Sequence, residues 1–424
     1  MKRVLVIVGF ALVVIALGLA LYFTFFKPAP KPPVVIKPPI EITPRLPVTR
    51  EAWERMTIEE RKRLGLPLYE WPEKVAPEIP PVEVPPAPPE ISEVAQGTPT
   101  WTTSVSSETS EAVELSADGV NAIYYNPETG RFYKITPQGE KTLLTDKTFP
   151  GVQKITWAPT KDKAILEFPD GYKIVYDFEK KKQVTLPFNW YDFSFNPSGT
   201  EIAFKTASKY PENRWLSIAN ADGTNPRAIE HMGENQDKVI VSWSPNRQII
   251  AFSMTGEPRG AWEHSILPVG RYGENFPPIV VDGLGFEHIW SPNGDKIAYS
   301  VYSPETNYNP LLYVIGASGD EIGRNKINTG LNTFSYKCTF NRVGDTLYCA
   351  VPRNLPFGAG LVKELAEGIP DDFYKVDLKT GRSTFLAEPA FGAYEVEKVF
   401  LSEDESLLYF VDKATKRIRY IRLK

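Results

Sequence analysis

Residues able to do covalent or metal chemistry are few. The 424 residues include three histidines, His231, His264 and His288, and two cysteines, Cys338 and Cys349. A catalytic metal needs several imidazoles and carboxylates converging on one point. These histidines fall in different units of a repeat set out below. A converging His–carboxylate cluster would mark a metal-dependent polysaccharide lyase or hydrolase, and His288, on an inner strand, is the contributor such a site would use. The alternative for His288 is a hydrogen-bonded core histidine. The chain has no Gly-x-Ser-x-Gly elbow, P-loop or dinucleotide fingerprint. Asp–Gly pairs such as Asp222–Gly223 are turn formers, and no acidic loop reaches the ligand count of a calcium site. No catalytic residue, metal site or cofactor is therefore expected.

The elements that position these residues come from a repeat. Seven stretches place an apolar anchor before a polar turn and a second apolar run: Leu115 in "ELSADGVNAIYY", Trp157 in "TWAPTKDKAILEF", Phe195 in "SFNPSGTEIAF", Trp243 in "SWSPNRQIIAF", Trp290 in "IWSPNGDKIAY", Phe340 in "TFNRVGDTLYC" and Leu401 in "FLSEDESLLYF". The anchors recur about 48 residues apart, a period that with strands in place of helices marks a propeller. Two more strands follow each hairpin but the last, as in "LLYVIG", the turn "ASGDE" and "KINTG" of the fifth unit. The expected fold is all-β: a seven-bladed β-propeller of four-stranded antiparallel blades over residues 100–424. The anchors' shared phase predicts packing between blades, not ligand stacking.

"WSPNGDKIAYS" and "WSPNRQIIAFS" resemble the TolB-type, WD-repeat-like propeller repeat of bacteria: an aromatic, Ser-Pro-Asp-Gly, then Lys-Ile-Ala-Phe. The resemblance is strongest in blades 3, 4 and 5 and weakest in blades 1 and 7, where Leu replaces the aromatic. It implies a propeller that acts mainly as a recognition surface. TolB itself carries an α/β domain before the propeller, where this chain has a proline-rich stalk.

Turns between first and second strands are short and alike, whereas connections from second to third strand are long and unlike: "TASKYPENR", "TGEPRGAWEHS", "YSPETNYNP" and "PRNLPFGAGLVKELAEGIPDD" in blades 3 to 6. Up-and-down strands put all of these on one face, and variable loops on a rigid scaffold are where binding usually resides. Tyr210, Arg214, Arg259, Trp262, Tyr308 and Phe357 are the candidate binding residues, being the aromatic and arginine types that dominate interfaces. The expected partner is a protein or a cell-envelope polymer. A net charge of −4 gives no basis for nucleic-acid binding.

Ahead of the repeat, Val4–Phe26 is 23 residues without a charge. At about 1.5 Å per residue it spans the roughly 30 Å hydrocarbon core of a bilayer, so residues 1–27 are expected to be a single transmembrane anchor. Residues 28–99 form the stalk, with 18 of the chain's 39 prolines between Lys27 and Thr100. Its Pro-rich arms favour polyproline II and together could extend on the order of 150 Å. A helical island over 49–66 interrupts them, with a capping box from Thr57 and Glu60 and a stop at Gly65 and Pro67. Trp53, Leu64 and Trp71 would make this island a docking segment if exposed.

Two expectations concern the ends of the propeller. Blade 7 runs out one strand short, and Thr100–Ser107 is expected to supply its outer strand beside Arg417–Lys424. In blade 6, pairing Phe340 with Leu347 sets Cys338 opposite Cys349, within disulfide range. A disulfide there suits an oxidising compartment, and the three-residue tail before the anchor favours the same side, with the propeller extracytoplasmic.

Overall fold

The computed structural model describes residues 49–66, 68–69, 90–274 and 276–424. The anchor segment and most of the stalk lie outside them. Among the described residues no helix is long and apolar enough to cross a membrane.

The repeat folds as expected, with seven sheets in chain order. Blade 5 shows the pattern: Leu284–Trp290, Lys296–Tyr302, Leu311–Gly316 and the short outer strand Ile327–Asn328, each antiparallel to the last. One local device recurs in every blade. The residue after each anchor donates its N–H to the carbonyl five positions on, from Ser116 to Asn121, Ala158 to Lys163, Asn196 to Glu201, Ser244 to Ile249, Ser291 to Lys296, Asn341 to Thr346 and Ser402 to Leu407. In blades 4, 5 and 7 that residue is a serine whose hydroxyl accepts the returning N–H, at 2.9 Å from Ile249, 3.0 Å from Lys296 and 2.9 Å from Leu407; in blade 1 Asp118 Oδ1 takes the Asn121 N–H instead, at 2.9 Å. Gly294, at φ +69, supplies the left-handed corner in blade 5.

Apolar packing lies between the sheets. Each junction has its own buried cluster, such as Ile249, Phe252 and Ile266 of blade 4 against Ile297 and Tyr299 of blade 5. Tyr124 of blade 1 likewise packs with Phe400, Tyr409 and Ile418 of blade 7, which closes the ring. The anchors serve this packing. Trp157 donates its indole N–H to Ala112 O of blade 1 at 2.8 Å, and Trp290 stacks on Phe252 of blade 4.

Closure departs from expectation in extent. Thr103–Ser104 pairs antiparallel with Arg417–Arg422 as the outer strand of blade 7. The chain just before it does more: Thr98–Thr100 adds a fifth, parallel strand outside Arg382–Pro389 of blade 6. Ser92 bridges to Thr100 and Val94 to Arg422. Residues 92–99, expected as stalk, therefore belong to the disc, because their backbone groups are paired there. Residues 92–106 form one strap that borders blades 6 and 7.

The island is two short helices. Thr49 caps Arg50–Arg55 and Thr57 caps Ile58–Arg63, the latter with the expected capping box to Glu60. The break falls at Met56 and Thr57, both extended, the first closing one helix and the second capping the next. Trp53 is buried, with the Arg61 guanidinium 3.7 Å from its ring centroid and Arg61 Nε donating to Trp53 O. Leu64 is exposed, and Trp71 lies outside the described residues.

Candidate functional site

The loops after the second strands of blades 4, 5 and 6 join into one surface. Trp262, Tyr308 and Phe357, read separately from three loops, form a continuous row of rings. Trp262 meets Tyr308 at 5.7 Å between centroids and Tyr308 meets Phe357 at 5.4 Å, both edge to face. The backbone holds the row in place. Asn307 and Tyr308 both sit at positive φ, +54 and +55, a conformation that bulky residues adopt only where surroundings enforce it. Here the enforcement comes from blade 6. Gly358 N–H donates to Asn307 O at 3.0 Å and Gly360 N–H to Tyr308 O at 2.8 Å. Gly360 must be glycine, since a Cβ would lie 2.6 Å from Tyr302 Cβ and 2.7 Å from Tyr308 O.

The blade 6 loop has its own small core, with Ala359 and Ala366 buried on Phe334. Its outer side is apolar. Phe357 is 68% exposed, Leu361 52%, Val362 48% and Leu365 45%. Beside the row lies a cleft of about 210 Å³, lined by Met254, Tyr302, Pro310, Phe334, Gly360 and Lys363, the last paired with Glu287.

The other candidate residues do not join this row. Tyr210 is exposed on the blade 3 loop, and among the described residues no ring contact links it to Trp262. Arg214 is occupied in holding its own loop: Nε donates to Ser208 O at 2.9 Å, and a terminal nitrogen pairs with Glu234 at 3.3 Å. Arg259 is exposed beside Trp262 in sequence, on the loop that closes through its N–H to Glu263 O. Leu361, Val362 and Leu365 were not singled out from sequence. The available signal was several apolar residues without periodicity inside the longest loop.

The histidines remain apart. His231 lies on the outer strand of blade 3 against Trp215, and His264 on the third strand of blade 4. His288 places Nε2 2.8 Å from Ser242 Oγ, among Phe252, Phe286 and Trp290. Burial holds its pKa down at about 3, so it is neutral at physiological pH. Among the described residues no three His, Cys, Asp or Glu side chains group as metal ligands would. Cys338 and Cys349 face each other in register, with Cα atoms 4.1 Å apart and the sulfurs bonded.

The axial channel, about 890 Å³, is lined largely by first strands of blades 1, 5, 6 and 7. Its walls carry acids set against lysines. Glu397 receives Lys416 at 2.7 and 2.8 Å. Glu114 of blade 1 takes Lys161 of blade 2 at 3.2 Å and Lys398 of blade 7, tying three blades. Burial pushes the Glu114 pKa upward, but the two ammonium groups prevail and bring it from 4.5 to about 2. A carboxyl with a lowered folded-state pKa stabilises the fold above its unfolded value, and that stability is lost as pH falls toward the folded one. Glu114→Gln is therefore expected to lower stability by about 2–3 kcal/mol above pH ~4.5, with the gap to wild type closing as pH falls toward ~2. Urea midpoints of both proteins across that window measure it. A gap that does not change with pH would show that Glu114 does not act through its charge.

Neither the known protein families nor the curated proteins yield a sequence match to this chain. Solved structures do share its fold. One is an oligogalacturonate lyase in complex with manganese, with TM-score 0.50 and 12% identity, covering 76% of this chain and 90% of that one. Another is the Cps50 (Swd1) β-propeller domain of Myceliophteria thermophila, with TM-score 0.50 and 11% identity, covering 76% and 100%. A third is an oligogalacturonate lyase from Vibrio parahaemolyticus, with TM-score 0.50 and 12% identity, covering 76% and 93%. At such identities the likeness is one of architecture, which many unrelated functions share.

Proposed function

We propose that this chain is a membrane-tethered, extracytoplasmic propeller of the TolB-type repeat class that captures a protein partner on the loop face of blades 4 to 6, as a scaffold and not as an enzyme. The observation that carries this reading is the fixed ring row of Trp262, Tyr308 and Phe357, continued by exposed Leu361, Val362 and Leu365. Aromatic anchors on a rigid base beside exposed aliphatic side chains are what a protein interface buries at its centre. The aliphatic part favours a protein over an envelope polysaccharide, whose hydroxyl-rich surface gains little from leucine and valine. The lyase or hydrolase alternative calls for a converging ligand cluster. His288 is instead held by Ser242, and Glu114 and Glu397 are held by lysines. The tether and the compartment rest on the apolar Val4–Phe26 segment and on the paired cysteines.

In-cell crosslinking followed by affinity capture tests the reading. Replacing Trp262, Tyr308 and Phe357 together with alanine is expected to reduce capture of the partner by about thirtyfold or more, as loss of even one 2 kcal/mol hot spot would. Tyr210→Ala, away from the row, is the control and should leave capture intact. Equal capture by the triple variant and wild type would exclude the loop face as the binding surface.

A further inference from the structure

The partner's chemistry can be narrowed further, resting on the binding reading above. We infer that the ring row of blades 4 to 6 receives an extended, proline-rich peptide bearing lysines, presented by a partner protein.

The ring geometry is the first support. Flat ligands such as bases or sugar faces want an open ring face to stack on. Successive rings here stand at 70° and 75° to one another, so the row offers alternating faces and edges with furrows between them. Furrows between aromatic rings suit pyrrolidine rings, and a polyproline II segment enters them already extended, with little ordering entropy to lose. The row is also preformed on the receptor side, through the backbone bonds of Gly358 and Gly360 to Asn307 and Tyr308.

Charge is the second, independent support. Glu257, Glu305 and Glu364 are exposed on the same three loops. The cations of the blade 6 loop are already neutralised: Arg353 by Asp372 and Glu388, each at 2.9 Å, and Lys363 by Glu287. Arg259 is the opposing charge on the blade 4 loop. The excess on these loops is thus acidic, which favours a lysine-bearing ligand over an acidic one.

Fluorescence anisotropy with the full-length chain in detergent tests this, using three labelled synthetic peptides of equal length built from Pro-Pro-Lys-Pro, Pro-Pro-Glu-Pro and Ala-Ala-Lys-Ala repeats. The Pro/Lys peptide is expected to bind at least tenfold more tightly than either of the others. Its affinity should fall at least tenfold in Phe357→Ala and severalfold in a Glu257→Gln, Glu305→Gln, Glu364→Gln triple variant, whose rings are untouched. It should rise in Arg259→Ala. Equal binding of the lysine and glutamate peptides, or Pro/Lys binding indifferent to Phe357, overturns the inference. So does ring-dependent binding of a neutral oligosaccharide with no binding of the Pro/Lys peptide. If crosslinked capture still depends on the ring row while the Pro/Lys peptide does not bind, the scaffold reading stands and only the proline-rich ligand falls.

Discussion

Replacing Lys337 with methionine is expected to destabilise the propeller by about 3–5 kcal/mol, because it strands a buried carboxylate. Lys337 lies in the turn that enters blade 6, and its ammonium sits 3.0 and 2.8 Å from the two oxygens of Asp371, with both side chains almost fully buried. Asp371 opens the third strand of blade 6 and accepts the N–H of Val396, the first residue of blade 7, at 2.7 Å. One carboxylate thus joins the approach to blade 6, its third strand and the start of blade 7. Burial raises the Asp371 pKa while Lys337 opposes the rise. A Lys337→Met, Asp371→Leu double variant should recover much of the loss, since it removes both charges together. Urea midpoints of the three proteins decide the matter. A Lys337→Met protein within about 1 kcal/mol of wild type would mean the pair is not the pin described here.

Removing the strap should have the second large effect. A chain starting at residue 90 is expected to unfold in one cooperative transition. A chain starting at residue 107 is expected to lose that transition and to self-associate. The shorter chain lacks buried Ala95 and Val105, and it leaves Arg382–Pro389 of blade 6 without Thr98–Thr100 and Arg417–Arg422 of blade 7 without Thr103–Ser104. Unpaired edges of this kind recruit other chains. Calorimetry with light scattering on both proteins measures it. Matching melts would assign closure to the junction clusters alone.

The parts legible in the sequence were those fixed by local chemistry. Anchor, turn and returning apolar run keep one phase in every blade, so seven blades and their order could be counted. Thr100–Ser107 could be placed because blade 7 lacks a strand. Thr98–Thr100 could not: a three-residue run with a central proline carries no strand signal, and its parallel pairing to Ala387–Pro389 arises only once the ring is closed. The loop residues show the same division. Trp262, Tyr308 and Phe357 were recognisable one by one as aromatic residues of long loops, but their meeting depends on the bonds from Gly358 and Gly360. Arg214 carried the same signal, yet its loop folds back and engages it with Ser208. The Lys161–Glu114–Lys398 bridge joins residues from both ends of the ring, and no local pattern announces such a contact.

The strap also sets a timetable. Ser106 accepts a hydrogen bond from Ile418, 312 residues later in the chain. At about 5–20 residues per second, synthesis of that interval takes roughly 15–60 s. Blades 1 to 5 draw all four strands from consecutive sequence and can pair internally as they emerge. Throughout that time the strap, with Ala95 and Val105 uncovered, waits for the last two blades to be made. Whatever attends the nascent chain must shield these fifteen or so residues longest, and the last strand to be translated completes the binding for one of the first.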